Sequence, residues 1–450
     1  MSRAALNRRQ FVQTTAGLAA AANLPFWFSE RASADASKND RPIMGCIGFG
    51  AGYTSKVEGL GRGAHIAKRA KDNGADIVAL CDVFRAPMEK AKAEHFQKAD
   101  MYEDYRQLLE RKDIEAVTIG TPDHWHTAIA LAALDAGKHV YCEKPLTLTI
   151  DEGKQLVAAV KRTGKTFQVG TQQRGDQYQL FGRAVATARG GQLGKIKKIT
   201  VHLPDHHLLP GPFPTAPVPE GLNWDFWLGQ APKVDYVPER CHYTFRWWWE
   251  YSGGLLTDWG AHHLDIAQWT LNTENTGPRI IDGTQSRLPN VPGGYTTPGN
   301  PLVTYQYPND IIVQVITDQE REGVLIEGDK GRIKVDRDKV VGKPIEEQDA
   351  DPALKEKTMN DVKALFKGNL AKLGDHMGNF FEGFKHNLPV ISDVESQHRS
   401  VSVCHLGNIS IRLGRKIEWD PVKQEVVGDA EANAMLKREQ RAGYQISASA

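Results

Sequence analysis

The sequence predicts an α/β protein of two domains: an N-terminal Rossmann fold with a doubly wound parallel sheet, then an α+β domain with a large, mainly antiparallel open sheet. Three observations predict it. Short apolar runs alternate with amphipathic stretches over residues 43–169; tryptophans and prolines crowd into 204–250; and strand-like runs broken by glycine turns recur between 302 and 339. At 450 residues the chain is also too long for one ordinary core.

Residues 1–40 read as an export signal: the twin-arginine block Asn7-Arg8-Arg9-Gln10-Phe11-Val12, a weakly apolar run over 14–28, and the small-residue cleavage site Ala32-Ser33-Ala34. The alternative is a disordered or amphipathic N-terminal helix. The signal predicts an exported, periplasmic protein that crosses the membrane already folded. No later stretch approaches the ~20 apolar residues of a membrane span.

The Rossmann domain is assigned to 41–174. Its runs at 43–49, 77–82, 116–120, 139–142 and 166–169 have the length and apolar content of buried parallel strands, and those at 64–73, 87–96, 126–136 and 151–162 have helical spacing. Thr149 and Glu152 form a capping box before the last helix, and Gly164 ends it. The second domain, 175–425, carries strand-like runs at 196–203, 302–307 and 311–317, then hairpins over 318–339 with Gly323, Gly328 and Gly331 at turns. Residues 346–375 are polar and read as a surface excursion, 380–386 and 396–411 as helices, and 426–450 as a C-terminal tail.

Lys+Arg 56 against Asp+Glu 55 gives a formal charge of +1, with no basic tract beyond the N-terminus, so no nucleic-acid partner is expected and a small molecule is. Of five cysteines (Cys46, Cys81, Cys142, Cys241, Cys404) three lie in apolar strand-like runs, which predicts buried thiols without a disulfide framework. No metal is expected. The His-x-x-x-His spacing of His202 and His206 runs through Pro204, and neither Cys-x-x-Cys nor His-Glu-x-x-His occurs, although His124, His126, His207, His262 and His263 also invite the question.

Gly48-Phe49-Gly50 follows the first strand and would let backbone amides approach a pyrophosphate at a helix N-terminus. Tyr53 stands at the third glycine position and a second cluster, Gly59, Gly61 and Gly63, precedes the helix, which points to an insertion of about ten residues in the loop. An ordinary glycine-rich turn is the alternative. Asp82 ends the second strand, where a ribose 2′-hydroxyl is held; otherwise it caps the next helix. Arg85 could accept a 2′-phosphate, so the cofactor is NAD or NADP.

Glu143-Lys144-Pro145 closes the fifth run, and Asp258 and His262, four apart, share a face if helical. A lysine beside an aspartate and a histidine can take the proton from a sugar hydroxyl while hydride leaves the same carbon. Here His262 would take the proton, Asp258 would orient its imidazole, and Lys144 would bind the hydroxyl oxygen. His263 would flank the substrate, with an exchange of the two histidine roles left open. A structural histidine and a surface lysine are the bland alternatives. Trp224, Trp227, Trp247, Trp248 and Trp249 read as core and sugar-stacking walls.

Five motifs in order, Ile47-Gly48-Phe49-Gly50, Ala79-Leu80-Cys81-Asp82, Thr121-Pro122-Asp123-His124-Trp125-His126, Glu143-Lys144-Pro145 and Gly253-Gly254 through Asp258 to His262, make the chain resemble the Gfo/Idh/MocA family from about Ile43 to Ile417. Residues 169–174 and 223–229 resemble an exported bacterial subgroup of it. The resemblance implies an open sheet that forms a homodimer or homotetramer. It places Thr121 and Pro122 against the adenine or ribose side of the cofactor and Glu143 and Lys144 beside the nicotinamide ribose, with His126 and Gln172 also on the cofactor side. Arg246 would touch the cofactor from a place where relatives carry Trp-Arg and this chain has Phe245-Arg246, unless Trp247 substitutes for the tryptophan. Arg174 and His263 would join Lys144, Asp258 and His262 around the substrate. The implied activity is hydride transfer between a tightly bound NAD or NADP and a sugar, sugar derivative or cyclitol. A glycosidase that oxidises its substrate transiently, and a non-catalytic sugar or dinucleotide sensor, are the other readings.

Overall fold

Apolar runs of four or five residues, too short for buried helices, become the inner strands of a parallel sheet. In a computed structural model that describes residues 41–50, 61–205, 209–318 and 321–446, these are β1 (Ile43–Ile47), α1 (Arg62–Asp72), β2 (Asp76–Cys81), α2 (Arg85–His95), β3 (Asp100–Tyr102), α3 (Tyr105–Leu109), β4 (Ala116–Ile119), α4 (Asp123–Asp135), β5 (His139–Cys142), α5 (Ile150–Thr163) and β6 (Phe167–Val169). The twin-arginine block, Tyr53, Gly59, His206 and His207 lie outside the described residues. The sheet order is β3-β2-β1-β4-β5-β6 and every pairing is parallel. The order reverses between β1 and β4, so a crevice opens at the carboxyl ends of those strands.

Local chemistry fixes the ends of these elements. Thr149 Oγ1 accepts from Glu152 N at 3.2 Å, while the Glu152 carboxylate accepts from Leu148 N at 3.0 Å, one residue before the cap; Gly164, at φ 63°, closes α5. β3 and α3 escape sequence pattern because they are three and five residues long.

A π-helical turn (Tyr178–Gly182) leads into α6 (Arg183–Arg189), β7 (Ile196–Pro204), α7 (Trp224–Leu228), α8 (Leu255–Asp258), α9 (Gly260–Leu271), β8 (Ile280–Asp282), β9 (Val303–Gln306), β10 (Ile312–Asp318), β11 (Gly323–Gly328), β12 (Arg332–Val335) and β13 (Val340–Val341). Then come α10 (Lys343–Ala350), α11 (Pro352–Ala364), α12 (His376–His386), α13 (Val394–Leu413), β14 (Ile417–Asp420), β15 (Glu425–Val426) and α14 (Ala430–Ala434). The second sheet runs β13-β12-β11-β7-β10-β9-β8-β14-β15, antiparallel except for β7 with β10. Alternate residues of its central strands, Val201, Val313, Val315, Val324 and Ile326 among them, are fully buried and belong to the core that α6 and α9 share.

One expectation about the second half of the chain is corrected. The polar stretch 346–375 is no excursion: α10 and α11 bury Ile345 and Val362, with Phe366 just beyond, and their long charged side chains cover only the outer face. The described part of the C-terminal tail, 426–446, is fastened to the fold: β15 pairs with β14, and Arg441 and Tyr444 hold Asp225. α12 and α13 return to the first domain, where Met377, Phe380 and Phe381 pack with Met44, Ile66 and Tyr141, and Val394 and Val401 with Leu156. All five cysteines are free and buried, and among the described residues no helix is long and apolar enough to cross a membrane.

Candidate active site

At the carboxyl ends of β1, β2, β4 and β5 lies a cavity of about 450 Å³, walled on its far side by the second domain. Its first half is built from backbone. Gly48 has φ 83° and a Cβ there would sit 2.5 Å from Thr121 N, so no other residue fits; Gly50, at φ 57°, faces open space. Thr121 Oγ1 is buried without a partner. An open glycine cradle beside an unsatisfied hydroxyl fits a dinucleotide, which Gly48, Phe49, Gly50, Asp82, Thr121 and Pro122, all lining the cavity, would hold.

Asp82 both lines this half and braces it. One carboxylate oxygen accepts from Phe49 N (2.6 Å) and Gly50 N (3.0 Å), the other from Phe84 N (2.8 Å); burial pushes its pKa up, and these amides pull it back. Arg85 turns outward to Glu89 at 2.6 Å and does not line the cavity, so its suggested contact with a 2′-phosphate is not supported by its position. His126 is also corrected. Its Nδ1 lies 2.7 Å from Pro145 O and its Nε2 3.0 Å from Thr121 O, so the buried ring ties Thr121 to Pro145 instead of facing the cofactor side.

The second half is built from charged side chains. Glu143 ends β5 and accepts from Arg62 Nε (3.0 Å) and Gln172 Nε2 (2.8 Å), and Gln172 also donates to the Tyr141 hydroxyl (3.0 Å). Burial alone would raise the Glu143 pKa; the Arg62 and Lys144 charges outweigh it and hold the carboxyl below its ordinary value. Lys144 donates to Asp258 Oδ1 at 2.5 Å and to the Asp258 carbonyl at 3.1 Å, and Arg246 donates to the same Oδ1 at 3.1 Å. Asp258 is therefore held well below the carboxylate range: burial opposes this, and the two cations win.

Asp258 thus anchors Lys144 and Arg246 and makes no hydrogen bond to the His262 ring, which corrects its expected role as the orienter of that imidazole. His262 lines the cavity with Nδ1 buried and unpartnered. Burial, and then the charges of Lys144 and Arg337, push its pKa well below the usual value, so the ring is neutral. His263 points the other way, toward Phe181 and Gln173, with its pKa driven by burial to about 3. It does not line the cavity, whereas His262 does, so its expected place around the substrate is corrected.

Arg174 is corrected too. Fully buried, it grips both oxygens of Asp265 at 2.7 Å, reaches Glu274 at 3.2 Å and lies over the Trp269 ring at 4.9 Å, so it joins α9 to the first domain and does not line this cavity. Phe245 lines the cavity while Trp247 is buried in the core, so Phe245 keeps the aromatic place before Arg246. Of the tryptophans, Trp125, Trp227 and Trp259 line the cavity.

Sequence reasoning missed Arg62, Trp259 and Arg337. Arg62 had a signal, a basic residue between Gly61 and Gly63 at the start of α1. Arg337 had none: it sits on the turn between β12 and β13, and only the folded sheet brings its guanidinium to 4.3 Å over the Trp259 ring. Among the described residues no group of three or more His, Cys, Asp or Glu is placed to hold a metal ion.

Comparison with known proteins gives two matches to models of an oxidoreductase family, the NAD-binding Rossmann fold over residues 46–171 and the C-terminal alpha/beta domain over 211–446. The uncharacterized oxidoreductase YrbE of Bacillus subtilis is 28% identical over 236 residues, 52% of this chain and 55% of that protein. Inositol 2-dehydrogenase of Salmonella typhimurium is 35% identical over 106 residues, 23% of this chain and 32% of that one. The matched part therefore spans about half or less of these curated relatives. In fold, the WlbA dehydrogenase of Chromobacterium violaceum, solved with NADH and UDP-GlcNAcA, superimposes with a TM-score of 0.60 at 15% identity, covering 85% of this chain and 97% of that one.

Proposed function

The chain belongs to the Gfo/Idh/MocA oxidoreductase family, with its NAD-binding Rossmann domain, and on that premise we propose that it oxidises or reduces one carbinol carbon of a sugar, sugar derivative or cyclitol with a tightly held nicotinamide dinucleotide. The observation that carries this reading is the Lys144–Asp258–Arg246 cluster at the end of β5, with His262 beside it in one cavity with the glycine cradle. When bound, the dinucleotide supplies the acceptor or donor of hydride.

The chain's own residues do the rest. Lys144, fixed by two hydrogen bonds to Asp258, offers its one remaining N–H to the substrate oxygen and stabilises negative charge as it develops there. The neutral His262 imidazole can take the hydroxyl proton in one direction and return it in the other. Asp258, ionised between two cations, keeps the ammonium aimed. Trp259, with the Arg337 guanidinium over its ring, forms a wall of the cavity against which a sugar can be held.

Export is part of the proposal. The Arg8-Arg9 block, the apolar run and the small-residue site support passage by the twin-arginine route, which carries folded proteins, and a cofactor kept through that passage must be bound tightly. Fusing residues 1–40 to a reporter tests it: export that survives replacement of both arginines by lysine overturns it.

The activity is tested on protein purified without added cofactor. It is denatured, any released dinucleotide is identified by mass, and the intact sample is followed by nicotinamide absorbance across a panel of sugars and glycosides. Stoichiometric dinucleotide that changes redox state with one carbohydrate is the expected result. Release of an aglycone with no net change in redox state replaces it with the transient-oxidation glycosidase. Protein that neither carries nor binds dinucleotide sinks both.

A further inference from the structure

In doubly wound folds the acid at the end of β2 lies beside the adenosine ribose, so the part of the cavity around Asp82 is the adenosine half. This half is not made by the first domain alone. Leu222, Phe226, Trp227, Cys241 and His242 of the second domain line the same cavity.

The segment is stitched to the first domain along its length. Arg85 N donates to Gly221 O (2.9 Å) and Asn223 N to Val83 O (2.9 Å), an antiparallel bridge joins Phe84 to Leu222, and Asn223 Nδ2 donates to Glu103 at 2.5 Å. Farther on, Trp227 O accepts from Trp125 Nε1 at 2.9 Å, and Gln230 reaches the His124 carbonyl. From outside, Arg441 pairs with Asp225 (2.5 Å) and donates to Gly229 O (2.8 Å), while the Tyr444 hydroxyl donates to Asp225 at 3.1 Å. At the far end His242 holds a left-handed backbone, φ 55°, which a residue other than glycine adopts only where its surroundings impose it, and its ring lies 5.9 Å from that of Phe84.

We infer that residues 221–243 are a working part of the dinucleotide site: they cover its adenosine half, with Phe84 and His242 flanking it, so that bound dinucleotide leaves only when this segment lifts from the corner between β2 and α2. The inference rests on the reading of the previous subsection and adds a mechanism for retention to it. Such a protein works with one dinucleotide held through many turnovers, which requires the second half-reaction to regenerate it in place.

The test measures release of labelled NAD from the loaded full-length protein into excess unlabelled NAD, with two variants of opposite expected effect. His242→Gly keeps the left-handed backbone and deletes the ring; release is expected to quicken about tenfold, the worth of one aromatic contact. Arg85→Cys with Gly221→Cys staples the cover shut. A Cβ built on Gly221 lies 3.4 Å from the Arg85 Cβ, close to disulfide spacing; Gly221 has φ 76°, so its replacement is strained equally in both redox forms, and the comparison is between oxidised and reduced protein of this one variant, of which the oxidised form should release NAD at least about tenfold more slowly. Rates unchanged in both variants, in protein that binds NAD stoichiometrically, overturn this inference alone. Protein that binds no dinucleotide overturns it together with the reading beneath it.

Discussion

The two ends of the cavity are built by different means. At the reactive end side chains hold side chains: Asp258 takes Lys144 and Arg246 on one oxygen, and Glu143 takes Arg62 and Gln172. At the adenosine end, backbone holds backbone and rings fill the space, with Asp82 spent on three main-chain amides. The difference teaches where chemistry constrains sequence. Moving a proton demands particular groups at particular points, whereas covering a nucleoside demands only shape and hydrogen-bonded main chain.

Breaking the reactive end should have the largest effect. Lys144→Met is expected to lower kcat by about three orders or more, since it removes the group placed to bind the substrate oxygen, while leaving dinucleotide bound. Near-normal turnover would contradict the assignment. Asp258→Asn comes next: it leaves two partly buried cations of the cavity wall without their carboxylate, read as a lowered urea midpoint together with a fall in kcat.

Acid acts on both ends, because each carries a histidine kept neutral by burial, His124 on the adenosine side and His263 behind the reactive one, both with pKa lowered to about 3. Their ordinary value is about 6.5, so the unfolded chain binds more protons than the folded one between the two values. Stability therefore falls as pH drops from about 6.5 toward 3. Glu152, pushed up to about 7 by burial, acts in the opposite sense: its contribution is present below the ordinary carboxylate value and is lost as pH rises through 7. With Glu152→Gln removing that opposing contribution, a urea midpoint independent of pH between 4 and 6.5 would contradict the neutral, buried state of these rings.

The adenosine end should respond more gently. Asp82→Ala is expected to weaken NAD binding about tenfold, by unbracing the glycine cradle and removing the acid beside the ribose, and to narrow any preference for NAD over NADP, both read by titration of nucleotide-free protein. Arg85→Ala should change neither cofactor's affinity measurably, because its partner is the exposed Glu89. A specific loss of NADP binding would restore Arg85 to the site.

Much of this was legible beforehand, unevenly. The β–α alternation of the first domain follows from runs such as 139–142 whose apolar content leaves no other use for them, and Lys144, Asp258 and His262 stand out because their chemistry is rare and their spacing regular, and the fold brings all three to one cavity. Arg174 and His263 were misplaced for one reason: adjacency in sequence says nothing about which way a side chain leaves the backbone, and each points into the core beside a true lining residue. Arg337 and the cover at 221–243 were invisible because their positions depend on contacts from distant parts of the chain, over the ring of Trp259 and at the main chain of Val83.

The grip of Arg441 and Tyr444 on Asp225 also sets an order of events during synthesis. A ribosome delivers the chain in order, yet the adenosine wall is clasped by Arg441, 216 residues after the Asp225 it holds, and the first sheet draws part of its packing from α12 and α13. A nascent chain that has not reached these residues therefore cannot close the nucleotide cleft or hold its cofactor as the folded protein does. A transport route that accepts only folded cargo would find in this clasp a physical mark of a closed cleft.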